Sequence, residues 1–155
     1  MKQEDKELLL KDLCGRLPYG IKCENFNHVY GRNIFKVTDV RDNGYVCGII
    51  NNQHCWAVFD TLELKPYLFP LSSMTEEQKK EYYSLADDVT IKPGHDCRLG
   101  IKIHCIKLGI SDNPHEEVWD YIDLDALDWL NKNHFDYRGL IPKGLAIDCS
   151  NLNIY

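Results

Sequence analysis

The chain has 155 residues, and none of its apolar runs is long enough to cross a bilayer. Its first residues, Met1 to Lys6, lack the basic start and apolar stretch of an export signal. A soluble protein of the cytoplasm, with no membrane partner, is the expectation. Also absent are a Cys-x-x-Cys pair, the phosphate-cradling patterns Gly-x-x-x-x-Gly-Lys-[Ser/Thr] and Gly-x-Gly-x-x-Gly, and a Gly-x-Ser-x-Gly elbow. Those absences remove the readiest signatures of zinc, nucleotide and serine-hydrolase chemistry. No basic excess exists either. The formal net charge of −6 sets the long-range field against phosphate backbones, so nucleic acid is not the expected partner. With no repeat, low-complexity tract or long linker, residues 1–155 read as one domain.

What is present is ordinary globular composition, 44% hydrophobic and 27% charged, which is enough apolar material for a core. Seven cysteines, an odd number without an export signal, argue for reduced core thiols rather than a disulfide framework. Gln3 to Cys14 predicts a helix, with Leu10, Leu13, Cys14 and Leu17 on one face, Gly15 as its stop, and Lys11 and Arg16 near its C-terminal end. Ile34 to Val40 and Tyr45 to Ile50 predict strands joined at Asp42-Asn43-Gly44, and Cys55 to Leu64 a third. Lys65 to Leu71, holding Pro66 and Pro70, reads as a connector. Thr75 with Gln78 fits a capping box for the next helix, with Ser73 and Glu76 competing, and Tyr82, Leu85 and Ala86 form its buried stripe. Cys97 to Cys105 alternates strictly as a strand, and Val118 to Ile122 reads as a short one. Asp123 then caps a helix from Leu124 to about Asn133, with Ala126, Leu127 and Leu130 inward. The tail, residues 134–155, with Gly139, Pro142 and Gly144, reads as irregular chain laid along the surface. The fold expected is α+β: a small, mainly antiparallel sheet packed by about three helices.

Candidate chemistry is thin. Cys47, His54, Cys55, His95, Cys97, His104 and Cys105 invite a zinc reading, but adjacent His-Cys pairs point to opposite faces of a strand. No metal and no cofactor are expected. The cysteines in apolar patterns lack the positive surroundings that make a thiolate. The acids at Asp87-Asp88, Glu116-Glu117 and Asp120 to Asp128 read as solvated helix faces. Lys92 to Lys107 is locally basic, and on its strand Arg98, Lys102 and His104 share the outward face, which suits an anion or an acidic partner surface. In the tail, Tyr137 and Arg138 are residue types favoured as partner anchors, while Asp136 and Arg138 can instead clasp a turn. Binding is thus expected at Arg98, Lys102, His104, Tyr137 and Arg138, toward a protein partner or a small anionic ligand. No catalytic residue is assigned.

Two stretches carry a resemblance. Leu68-x-Pro70-Leu71-Ser72-Ser73-Met74-Thr75-Glu76-Glu77 is one, and Asp128-Trp129-Leu130-Asn131-x-x-His134-Phe135-Asp136-Tyr137-Arg138-Gly139-Leu140-Ile141-x-Lys143-Gly144-Leu145-Ala146 is the other. Together they resemble small proteins of gut Bacteroidota and their phages and prophages. The resemblance implies a mobile-element setting inside a bacterial cell and transfers no catalytic residues. Two functions therefore stand as expectations: a non-catalytic binding protein of phage or prophage type, and a hydrolase acting on a phosphorylated or nucleotide substrate.

Overall fold

In the computed structural model the described residues are 2–27, 31–41, 45–50, 53–60, 64–86 and 124–155. Helix α1 (Gln3–Arg16) is followed by strands β1 (Lys22–Asn27), β2 (Gly31–Val40), β3 (Tyr45–Ile50), β4 (Gln53–Asp60) and β5 (Leu64–Leu68). Helices α2 (Glu76–Ala86) and α3 (Leu124–Lys132) follow, and the tail adds a two-residue strand β6 (Ile147–Asp148). The sheet order is β4-β3-β2-β1-β5-β6, antiparallel throughout except for β6, which lies parallel to β5. This is the α+β architecture expected from the patterning. No described helix is long and apolar enough to cross a membrane.

Local chemistry explains most of the elements. β2 and β3 pair antiparallel with Val40 opposite Val46, and the Arg41 amide donates to the Tyr45 carbonyl at 2.9 Å. Asp42-Asn43-Gly44, expected as the turn between them, lie outside the described residues. α2 begins with a reciprocal capping box: the Gln78 amide donates to Thr75 Oγ1 at 3.2 Å, and the Thr75 amide donates to Gln78 Oε1 at 2.9 Å. Ser73 does not compete for this role, because its hydroxyl donates to the Pro70 carbonyl at 2.7 Å. α3 buries Ala126 and Leu130 as expected, half-buries Leu127, and adds Trp129.

Four expectations are corrected. Helix α1 runs through Gly15 to Arg16, because Gly15 lies against the Asn131 side chain, which a Cβ there would meet at 3.4 Å. Its buried stripe is Leu9, Asp12, Leu13 and Arg16, turned by one residue from the apolar stripe, and Cys14 is exposed. β1 went unread because its inward residues are a small thiol, Cys23, and a polar amide, Asn25, which give no apolar alternation. The third strand also begins earlier and ends sooner than expected, and the proline-bearing connector is strand β5. Pro66 sits opposite Cys23, and β6 pairs only with Tyr67 and Leu68, so the missing N–H falls where β5 has a strand on one side alone.

The fourth correction concerns the tail. It is irregular, yet Phe135, Leu140, Ala146 and Cys149 are buried. Among the described residues two apolar clusters make up the core. One places α1 on the sheet through Leu9, Leu13, Ile21, Phe35, Val37 and Leu68; the other packs α2 and α3 around Met74, Tyr82, Trp129 and Leu130. Leu140 and Ala146 belong to the first and Phe135 and Tyr137 to the second, so the tail stitches the two together.

Gly48 makes a sharp test of the sheet packing. A Cβ there would stand 2.4 Å from the Lys36 carbonyl oxygen and 2.4 Å from a ring carbon of buried Phe35. Gly48→Ala should therefore destabilise the fold by roughly 1–3 kcal/mol in urea unfolding. An unchanged midpoint would contradict this packing of Phe35 over β3.

Candidate functional site

The buried face of α1 carries two charges with no exposed surface, Asp12 and Arg16, one helical turn apart. Arg16 donates from Nε to Asp12 Oδ2 at 2.7 Å and from Nη2 to Oδ1 at 2.9 Å, a two-point match of guanidinium and carboxylate. Nη2 also reaches the Phe135 carbonyl at 2.7 Å, and Nη1 the Leu130 carbonyl at 3.4 Å. The same guanidinium thus ties α1 to the end of α3 and to the tail. Arg138 brings a second guanidinium: its Nε is 3.4 Å from Asp12 Oδ1, within ion-pair range but out of hydrogen-bond alignment.

The two tail residues expected to bind a partner both lie in this clasp. The Tyr137 ring is buried, with the guanidinium carbons of Arg16 and Arg138 at 5.2 and 4.9 Å from its centroid. Its hydroxyl donates to Asn131 Oδ1 at 2.9 Å, and burial pushes the pKa of that hydroxyl up. Tyr137 is therefore an internal strut in this structure, while the Arg138 side chain keeps 21% exposure. The turn is not held by an Asp136–Arg138 pair: Asp136 accepts the amides of Leu140 and Ile141, each at 2.8 Å. Arg98, Lys102 and His104 lie outside the described residues, as do the strand expected at residues 97–105 and the short one at 118–122.

A residue that sequence reasoning passed over forms the more open site. α3 stops on His134, which adopts φ 56°, a left-handed conformation usually left to glycine. The His134 amide reaches back to the Asn131 carbonyl at 3.2 Å and the Phe135 amide to Leu130 at 3.0 Å, which satisfies the last carbonyls of the helix. The Phe69 amide donates to the His134 carbonyl at 2.9 Å and the Asp136 amide to the Phe69 carbonyl at 2.8 Å, locking the turn beside the end of β5. The imidazole is 6% exposed and stacks on Tyr155 at 4.0 Å between centroids. Its Nδ1 is buried without a hydrogen-bond partner. Burial first, and then the charges of Arg16 and Lys22, push its pKa down to about 4. The ring is neutral near pH 7.

His134 borders a cavity of about 370 Å³. Phe69, Phe135 and Tyr155 supply aromatic walls, and Gln78, Lys132 and Asn133 a polar rim. Phe135 is backed by Trp129, stacked at 5.7 Å, so that wall is rigidly supported.

The thiols offer less. Cys23, Cys47 and Cys149 are buried and free. Burial, reinforced by Asp12, pushes the Cys23 thiol well up, and burial with Asp148 pushes Cys149 up to about 11, so neither is a thiolate at neutral pH. Among the described residues no three His, Cys, Asp or Glu side chains converge as a metal site. Comparison with protein-family models, curated proteins and solved structures finds no match to this chain.

Two outcomes follow from this geometry. Asp12→Ala strands the Arg16 charge in the core and should cost about 3–5 kcal/mol, whereas Asp12→Leu with Arg16→Met should recover much of that loss in the same urea titration. A single variant within 0.5 kcal/mol of the parent, on the scale of an ordinary surface change, would remove the pair from its structural role. For His134 the folded pKa is depressed, so its contribution is full above about pH 6.5 and is lost as pH falls through about 4. The total is on the order of 3 kcal/mol. His134→Asn, which tolerates the left-handed backbone, should flatten the stability–pH slope between those values; an unchanged slope would show that His134 does not titrate as argued.

Proposed function

We propose that this chain is a non-catalytic binding protein of phage or prophage type, which works in the bacterial cytoplasm and holds its ligand in the cleft beside His134. The observation that carries the reading is a neutral, buried imidazole with an unpartnered nitrogen on the wall of a 370 Å³ aromatic cavity. That volume lies within the range of small-molecule and side-chain pockets, and an apolar wall with a few polar groups is their usual make-up. Lys132 on the rim favours an anionic or carbonyl-bearing ligand, from a small molecule or from a partner protein. The net charge of −6 weighs against nucleic acid as that partner.

The chemistry of the cleft favours binding over turnover. A hydrolytic site pairs a nucleophile with a base, and the base with a group that orients it. Here the rim hydroxyls are directed elsewhere: Ser73 to the Pro70 carbonyl and Ser150 to Asp148 Oδ1 at 2.6 Å. The phage setting is supported by the tail resemblance, whose residues include His134 and Phe135 of the cleft wall.

The test is native mass spectrometry of the protein purified from bacterial cytosol, before and after denaturation. The expected result is an added mass in the native state that is lost on denaturation and reduced in Lys132→Glu. Overturning results are a bare mass with no binding from a panel of aromatic anions, or turnover of phosphorylated or nucleotide substrates that His134→Asn abolishes. The latter would make the protein a hydrolase.

A further inference from the structure

The wall formed by Tyr155 differs from the others in how it is held. In the β1–β5 ladder Asn25 faces Leu64, Glu24 faces Lys65 and Cys23 faces Pro66; Lys22 and Tyr67 would be the next pair. The Tyr155 hydroxyl stands between them instead. It accepts from the Lys22 amide at 3.1 Å and donates to the Tyr67 carbonyl at 3.0 Å, so one phenol completes the ladder with both of its hydrogen-bonding functions. Its ring lies on His134, with Phe69 at 6.1 Å and the Lys22 ammonium 5.5 Å from the ring centroid. The ammonium also donates to the main-chain carbonyl of Ile154, the residue before the phenol. Leu152 and Ile154 border a second groove of about 650 Å³ on the outer face of the sheet, with Ile34, Tyr67 and Ile147.

The segment before the phenol is exposed. Residues 150–153 lie at the surface and Leu152 keeps 46% of its own, held by its amide to the Cys149 carbonyl at 2.9 Å. The segment leaves the core at a turn in which Asp148 Oδ1 accepts the Ser150 amide at 2.9 Å. It also forms the partition between the two cavities, with Ser150 and Tyr155 bordering one and Leu152 and Ile154 the other.

We propose that this place is a recognition site for a partner protein's tyrosine in an apolar-x-apolar-Tyr segment, occupied here by the chain's own Leu152-Asn153-Ile154-Tyr155. The inference rests on the binding reading above and refines it: the ligand's ring takes the place that Tyr155 holds on His134, at the border of that cleft. The site reads each part of the segment separately. Lys22 N–H and Tyr67 C=O read the hydroxyl, His134 the ring, Lys22 Nζ the preceding carbonyl, and the sheet groove the two apolar side chains. A carbonyl one residue before the phenol is peptide chemistry, which sets a protein segment above a free phenol. The internal copy competes as a tethered ligand, at an effective concentration in the millimolar range for so short a tether.

The test uses the full chain carrying Tyr155→Ala and two blocked peptides, Leu-Asn-Ile-Tyr and Leu-Asn-Ile-Phe, titrated by calorimetry. The tyrosyl peptide should bind at least about tenfold tighter than the phenylalanyl one, since the latter lacks the hydroxyl that bonds both the Lys22 amide and the Tyr67 carbonyl. It should bind the unaltered chain at least about tenfold more weakly, because the tail competes. Equal binding of the two peptides, or none by a folded Tyr155→Ala chain, overturns the proposal. If a mass-spectrometric ligand persists in that case, the binding reading survives without it. A concentration-dependent dimer of the unaltered chain that Tyr155→Ala abolishes would reassign the site to a second copy and overturn the partner assignment. Should Tyr155→Ala not fold, the tyrosyl peptide is added to the unaltered chain and the Tyr155 ring signals are followed by NMR. Movement to free-tail positions supports displacement, and unchanged signals at saturating peptide overturn it.

Discussion

A guanidinium with no exposed surface must find partners for its N–H groups inside the protein, and the path of the chain around Arg16 follows from that demand. Asp12 neutralises the charge from one turn earlier on α1, but a carboxylate meets only one edge of the fork. The remaining donors go to the carbonyls of Leu130 and Phe135, at and just beyond the end of α3, each of which also accepts one backbone amide and gives Arg16 its second lone pair. A helix C-terminus also carries partial negative charge, so the cation sits where the backbone field favours it. The buried pair thus brings together α1, the end of α3 and the tail, and it lies where the two apolar clusters adjoin.

The cleft is a consequence of that arrangement. With the Phe135 carbonyl turned toward Arg16, the chain must reverse sharply at His134, and the left-handed conformation is how it does so. The reversal leaves the imidazole pressed between the sheet edge and Tyr155, near two cations and out of water. The same surroundings keep it neutral and leave Nδ1 without a partner. An unsatisfied buried nitrogen and a non-glycine residue in this backbone region both cost free energy, and such costs gather where a structure is kept ready for a ligand.

Elements governed by neighbours in sequence were legible. The Thr75–Gln78 box, the antiparallel β2–β3 pair and the apolar face of α3 depend on residues three or four apart, or on strands adjacent in sequence. Misreadings arose where distant partners decided. Asp12 and Arg16 look like a solvated ion pair on a helix surface, and their i,i+4 spacing was a signal that could have been read as a pair but not as a buried one. Pro66 discouraged a strand, yet β5 forms because β1 offers pairing on one side. Gly15 suggested a helix stop, yet Asn131 packs where a side chain would have been. His134 gave only a faint signal, a histidine in the position after a helix where glycine is common.

By itself, the sequence determined the class of the fold, the position of two of the three described helices to within a residue or two, and the inward character of Cys47. Those features follow from local periodicity, capping and turn chemistry, which act over a few residues. The tertiary structure alone decided that the tail is interior, that Tyr137 is a strut rather than a presented side chain, and that His134, Phe69 and Tyr155 meet across a cavity. These depend on desolvation and on hydrogen bonds between residues as far apart as Lys22 and Tyr155. The identity of a residue does not say which partner will reach it, so burial and pairing at that range appear only once the chain has closed on itself.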